Sequence, residues 1–213
     1  MVRLAKFTEA HFIDAAIDVA AQCGVNVVSM AAIALKAGAP IGSVYHRFDS
    51  RGTILALAWL RVKADFRIEV ASRWQASDSG SWSGVAALLD WCRRKPVYAR
   101  FLLLGDDASI FDAGLSPETL AALEAEQAEL DACFEACARG LKDKVEAIDA
   151  DAVAPMLRFI LIDGPVAIVK PYLTNHQPIP ACVDAILRAS HDAVRNMAGW
   201  ANRTDSHALL HPA

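Results

Sequence analysis

A chain of 213 residues, 54% hydrophobic and only 22% charged, has the composition of a well-packed globular protein and excludes a disordered one. Its net charge of −4 is unevenly spread: residues 1–67 hold eight Lys/Arg against five Asp/Glu, a surplus of +3, and the rest carries −7. That asymmetry fits a mildly basic reading head on an acidic body.

Ala and Leu dominate, and both favour helix, so the expected class is all-α. Five cysteines (23, 92, 133, 137 and 182) make no disulfide-like framework. A charged-then-apolar leader is not read at the start, and the apolar stretch Phe159 to Val169 is broken by Asp163-Gly164-Pro165. The expectation is a reduced, cytoplasmic protein with no membrane association.

Residues 1–7 form a short arm whose Arg3 and Lys6 either brush phosphate or are simply unstructured. Thr8 opens a helix with Phe12, Ala16, Val19, Ala20 and Cys23 on its apolar face, and Gly24 ends it. His11 is placed on the solvent side and Cys23 in packing. Ser29 can cap a second, short helix in which Met30, Ile33, Ala34 and Ala37 share one face. Gly38 suits its left-handed end and Pro40 the start of a third. That third helix sends Val44 and Phe48 inward and leaves Ser43, Tyr45, His46 and Arg47 pointing elsewhere. Two short helices about a Gly-containing turn, with polar groups on the second, make a helix-turn-helix or an ordinary helical hairpin. The hydroxyls, the imidazole and the guanidinium can donate to phosphate, and Arg47 can also reach guanine.

Gly38, Gly42, Tyr45, His46 and Phe48, followed by Ser50-Arg51, resemble the signature of the tetracycline-repressor (TetR) family of transcriptional regulators over about residues 8–60. The resemblance implies a three-helix DNA-binding head on a larger helical body that binds a ligand and dimerises. One departure stands out: Pro40-Ile41 occupies the place where the family commonly carries Ser-Lys. A capping hydroxyl and a cation are thereby lost, and Ile41 could instead touch a thymine methyl. The DNA-facing set is expected to be Ser29, Ile41, Gly42, Ser43, Tyr45, His46, Arg47 and Arg51. Arg51 lies in the first turn of the next helix, where the macrodipole disfavours a cation, so a nearby phosphate explains it better than helix stability does.

Ser50 caps that helix, which runs to about Gln75 with Leu55, Trp59, Val62 and Phe66 on its apolar face. By the resemblance it links head to body. Residues 77–84 read as a linker, with Trp82 either a plug on the body or part of a pocket wall. Short helices follow over Val85 to Arg94 and from Pro96 to Gly105, and Arg93-Arg94-Lys95 reads as a solvated helix end. Asp106, Asp107 and Asp112 have no neighbouring His or Gly pattern, which favours helix capping over metal or acid–base work. Ser116-Pro117-Glu118 opens a long helix carrying Cys133 and Cys137 one turn apart; without partners at ligand spacing, packing is the better reading. A charged loop follows over 140–150. Asp151 to Tyr172 is apolar and kinked by Pro165, and Asp163 within it needs a partner as a cap or in a pocket. Pro180 starts the last helix, with Val183, Ile186, Leu187, Ser190, Val194, Met197 and Trp200 in one stripe.

The domains expected are a head over 1–50, a body over 51–201 and a tail over 202–213. Val183, Leu187, Val194 and Met197 are expected at a two-fold dimer interface. Trp59, Phe66, Trp91, Phe101, Phe111, Phe134, Phe159 and Asp163 are the candidate walls for a hydrophobic or flat aromatic effector. The favoured function is a homodimeric regulator, a repressor that a small molecule releases from double-stranded, pseudo-palindromic DNA. The alternative is a helical interaction or ligand-binding module with weak or lost DNA binding. An enzyme is disfavoured, because no nucleophile–base pair, phosphate loop or metal spacing is present; no cofactor or metal is expected.

Overall fold

The chain starts its first helix, α1 (Glu9–Cys23), where Thr8 and His11 cap each other: the His11 amide donates to Thr8 Oγ1 at 3.4 Å and the Thr8 amide to His11 Nδ1 at 3.2 Å. In this computed structural model residues 7–74, 82–105, 114–142 and 150–197 are described, and every regular element among them is helical. Phe12, Ala16 and Ile17 are buried on the inner face of α1. Cys23, expected in packing, is exposed, because the chain turns at Gly24 (φ 87°) before the apolar face reaches it.

A short 3-10 turn (Val25–Val27) leads to α2 (Met30–Ala37), whose cap Ser29 accepts from the Ala32 amide at 3.1 Å. Gly38 closes α2 in the left-handed region (φ 63°), and α3 (Ile41–Tyr45) follows. Val44 and Phe48 are buried, and Phe48 meets Phe12 edge-on at 6.2 Å between ring centres. The three helices are thus held by one small aromatic-aliphatic core.

Helix α4 (Arg51–Glu69) runs from that core into the body, capped by Ser50 through the Thr53 amide at 3.1 Å. It packs on α1 at its head end and on three body helices further along, so it is buried on several sides. Those partners are α5 (Trp82–Arg94), α6 (Pro96–Leu104) and α7 (Pro117–Lys142). The long helix ends at Glu69, earlier than the periodicity implies, and Ala71–Arg73 form a 3-10 turn.

Polar pairs fix α4 against its neighbours. Arg67 makes two bonds to Glu126 of α7, at 2.7 and 3.1 Å. Asp65 accepts from Trp91 Nε1 at 2.7 Å and Lys95 Nζ at 2.6 Å, while Glu69 pairs with both Lys95 and Arg94. Arg93 pairs with Asp184 of the last helix. The cluster Arg93-Arg94-Lys95 is therefore an inter-helix clamp and not a solvated end. Lys95 holds the Glu69 carboxyl below its ordinary range, with Arg94 adding to the effect.

The apolar segment after α7 is α8 (Ala150–Arg158), a π turn (Phe159–Asp163) and α9 (Gly164–Thr174). Pro165 has no amide to give, and the wider π turn absorbs the mismatch without breaking the run. Ala152–Thr174 thus runs as one continuous helical stretch that is long and apolar enough to cross a membrane by length and composition alone, with a third of its most apolar window buried within the protomer; a lone helix of this kind does not indicate a membrane. Helix α10 (Cys182–Met197) completes the body and packs on α5 and α9.

Candidate nucleic-acid interface and effector site

Capping and turn geometry set the outer face of the head. With Val44 facing inward, α3 presents Ile41 (47% exposed), Gly42, Tyr45 (59% exposed) and His46 to solvent. Ser43 is half-buried, and its carbonyl accepts from Arg47 Nη1 at 3.1 Å. The Arg47 guanidinium also lies 5.7 Å from the Phe12 ring centre, which steadies it at the rim while its side chain stays exposed. Ser29 is exposed at the start of α2. Seven of the eight expected residues therefore belong to the two short helices or their immediate ends. Pro40 precedes α3 without any side-chain cap, as the Pro40-Ile41 departure implied.

Arg51 is the exception. Its Nε donates to the Val28 carbonyl at 2.7 Å and its Nη2 to the Val25 carbonyl at 2.8 Å. These acceptors lie in the connection between α1 and α2, where the Val25 carbonyl also accepts from the Val28 amide at 3.1 Å. The unfavourable first-turn position is offset inside the protein, so no phosphate is needed to explain this residue.

Other head cations are also engaged. Lys36 pairs with Asp18 at 3.1 Å, Arg61 with Asp14, and Lys63 with Gln127. Arg3 and Lys6 lie outside the described residues.

The expected effector walls divide in three. Trp59, Phe66, Trp91 and Phe101 are all buried, and they pack on one another: Trp59 on Phe101 at 5.9 Å and Phe66 on Trp91 at 5.3 Å. Phe134, half-buried on α7, meets Trp74 edge-on at 6.3 Å. Phe159 and Asp163 are instead exposed, because the π turn rotates them off the core face; Asp163 sits 3.5 Å from Arg158. Phe111 lies outside the described residues, as do Asp106, Asp107 and Asp112.

Sequence reading missed Trp74. It is 4% exposed, also meets Phe66 edge-on at 6.1 Å, and its buried indole N–H has no hydrogen-bond partner among the described residues. Only its aromatic type signalled it, at the edge of a stretch that reads as linker. Trp82 proves to be a plug: it opens α5, with the His191 ring against its edge and Arg188 at 4.9 Å over its face.

Two of the expected interface residues are core. Val183 and Leu187 are 1% and 4% exposed within a single protomer, because that side of α10 covers α5 and α9. Val194 is half-buried, and the Met197 side chain and Trp200 lie outside the described residues. Among the described residues of α8 to α10, the large apolar side chains that stand exposed are Ile186 (51%) on α10 and Phe159 (49%) in the π turn. Cys133 and Cys137 remain free thiols; Cys137 is buried, which pushes its pKa up to about 11. Among the described residues no group of three His, Cys, Asp or Glu side chains gathers to hold a metal.

A helix-turn-helix head carried on an all-helical body by one shared helix defines a class of bacterial regulators. Residues 12–58 match the model of the bacterial regulatory proteins of the tetR family. A TetR family transcription regulator from Shewanella sp. PV-4 shares the fold, with TM-score 0.60, 18% identity, and 87% of this chain and 96% of the other covered. So does the fatty acid degradation regulator FadR of Bacillus halodurans (TM-score 0.59, 15% identity, 88% and 97% covered). The ketosteroid transcriptional regulator of Mycobacterium tuberculosis is similar too (TM-score 0.58, 15% identity, 91% and 95% covered). No curated protein matches in sequence. The head thus matches that family's model over residues 12–58, and the described chain shares the fold of these regulators.

Proposed function

We propose that the protein is a DNA-binding transcription regulator that acts as a homodimer and is released from DNA by a small, largely apolar ligand. The observation that carries this reading is the outer surface of α3, where Ile41, Tyr45, His46 and Arg47 stand exposed while Val44 and Phe48 anchor the helix. A helix so presented can enter a major groove, with Tyr45 and Arg47 donating to phosphate or base edges and Ile41 meeting a thymine methyl.

Two such heads need a two-fold partner. The exposed Ile186 and Phe159 and the incompletely buried run Ala152–Thr174 support a self-association surface on α8–α10. For the effector, the aromatic cluster around Trp59, Phe66, Trp91 and Phe101 supplies apolar walls, and the unpartnered Trp74 indole supplies a donor for one oxygen of the ligand. A ligand there releases DNA only if it binds the released arrangement of the heads more tightly.

The test is binding to a labelled duplex from the region upstream of the gene, at two salt concentrations. Sequence-selective, salt-sensitive binding is expected, weakened about tenfold or more by Arg47→Ala together with Tyr45→Phe while the dimer persists, as loss of one or two base or phosphate contacts implies. Unchanged affinity in that variant refutes the assignment of α3. The uncapped, five-residue α3 favours a second reading, a ligand-binding module whose DNA affinity has been lost. Binding that is weak, unselective and insensitive to α3 would support it.

A further inference from the structure

A cleft of about 150 Å³ lies where α1, α6 and α9 end, between head and body, away from α3 and bordering the aromatic cluster at Phe101. By volume it holds about five water molecules, which is room for a small organic molecule. Its lining is mixed. Ala20 and Ala21 of α1 and Phe101 and Leu104 of α6 give it an apolar floor, and Gln22, Thr174 and His176 add polar groups.

Arg100 is the decisive residue. It lines the cleft, and its Nε is shut off from solvent with no hydrogen-bond partner. A guanidinium keeps its charge at every physiological pH; its buried Nε–H finds no acceptor among the described residues, and an occupant of the cleft would meet the guanidinium at its outer nitrogens. The acceptor that matches a guanidinium best is a carboxylate, taken by two parallel bonds. Three helix C-termini meet at the cleft, and their partial negative charges oppose any anion, a dianion such as phosphate more than a monoanion, so the Arg100 charge must outweigh them for a monocarboxylate to bind.

We propose that this cleft binds a small apolar monocarboxylate, with the carboxylate on Arg100 and the hydrocarbon on Ala20, Ala21, Phe101 and Leu104. Because one wall belongs to the head and two to the body, an occupant would bias how α1 sits on α6. This site shares only Phe101 with the aromatic cluster and does not depend on the regulator reading.

Sodium benzoate is the probe, with benzamide as its neutral counterpart, each titrated by calorimetry into the full-length protein without DNA. Saturable benzoate binding is expected, with benzamide at least tenfold weaker. Arg100→Lys keeps the charge but loses the fork and Nε–H, and it should weaken benzoate at least fivefold with an unchanged melting temperature. The same titration followed by nitrogen-15 NMR reads Arg100 in the wild-type chain: its Nε–H resonance, identified by its disappearance in the Lys variant, should shift with benzoate and not with benzamide. No saturable binding overturns the proposal. Equal affinity for benzamide or a motionless Arg100 resonance does the same.

Discussion

Arg51→Met separates two roles that sequence alone would confuse. The substitution keeps an unbranched apolar stem but deletes donors to the Val28 and Val25 carbonyls, now bonded at 2.7 and 2.8 Å. A hydrogen bond from a charged donor contributes about 1.5–3 kcal/mol, and partial rehydration of two half-buried carbonyls keeps the pair from adding fully. The expected loss is about 2–3 kcal/mol. For a chain of this size each kcal/mol moves Tm by about 2–4 °C, so thermal unfolding should fall by about 4–12 °C. Arg51→Lys, which can restore one bond, should recover part of the loss. DNA affinity, measured well below both melting temperatures, should change by less than about threefold, since no phosphate contact is removed. If Tm stays put while DNA affinity collapses, the carbonyl bonds are incidental and Arg51 is a phosphate contact after all.

Three further expectations follow from packing and charge. Gly84→Ala would put a Cβ 2.5 Å from Trp74 Cδ1 and 3.1 Å from Leu161 Cδ2; overpacking of this kind costs about 1–3 kcal/mol and should lower Tm and shift tryptophan emission. An unaltered melt would mean that α5 can slide away from Trp74. Ile186→Glu, at a 51% exposed position, should give folded monomers in sedimentation, whereas Leu187→Glu, at 4% exposure, should unfold the protomer; a persistent Ile186→Glu dimer moves the interface elsewhere. His191 is buried beside Trp82, and that burial lowers its pKa below 6.5 against the smaller opposing pull of Asp192. The unfolded chain therefore takes up the proton first, so this contribution is full above pH about 6.5 and is lost as the pH falls below it. Denaturation midpoints of His191→Gln should show a flatter decline between about pH 7.5 and 5, and a slope equal to wild type would remove His191 from the account.

What could be read from sequence was local. Thr8, Ser29, Ser50 and Ser116 each cap the helix that follows, because capping needs only a side-chain oxygen and an amide three residues on. Gly38 closes α2 for an equally local reason. Misreadings began where the partner was distant. Arg51 is satisfied by carbonyls 23 and 26 residues earlier, which no first-turn rule can anticipate. The clamp through Arg93, Arg94 and Lys95 likewise depends on α4 and α10. Periodicity placed Val183 and Leu187 of α10 on an apolar stripe, but a stripe says only that a face is apolar, not what covers it. Val183 and Leu187 are covered by their own chain, and Ile186, in the same stripe, is not.

The charge argument shows the same limit more sharply. A surplus of +3 over residues 1–67 points to a polyanion, yet a count assigns no cation to any surface. In the folded head Lys36 and Arg61 are paired with Asp18 and Asp14, Arg67 reaches across to Glu126, and Arg51 is committed to backbone. Arg47 alone combines an exposed side chain with a place at the end of α3 and no carboxylate partner among the described residues. Electrostatic attraction from one protomer is correspondingly small, so on the proposed homodimer reading tight binding comes from two heads held together. On that reading a dimer surface is part of the DNA-binding apparatus: a monomer would keep α3 intact and still lose most of its hold on DNA.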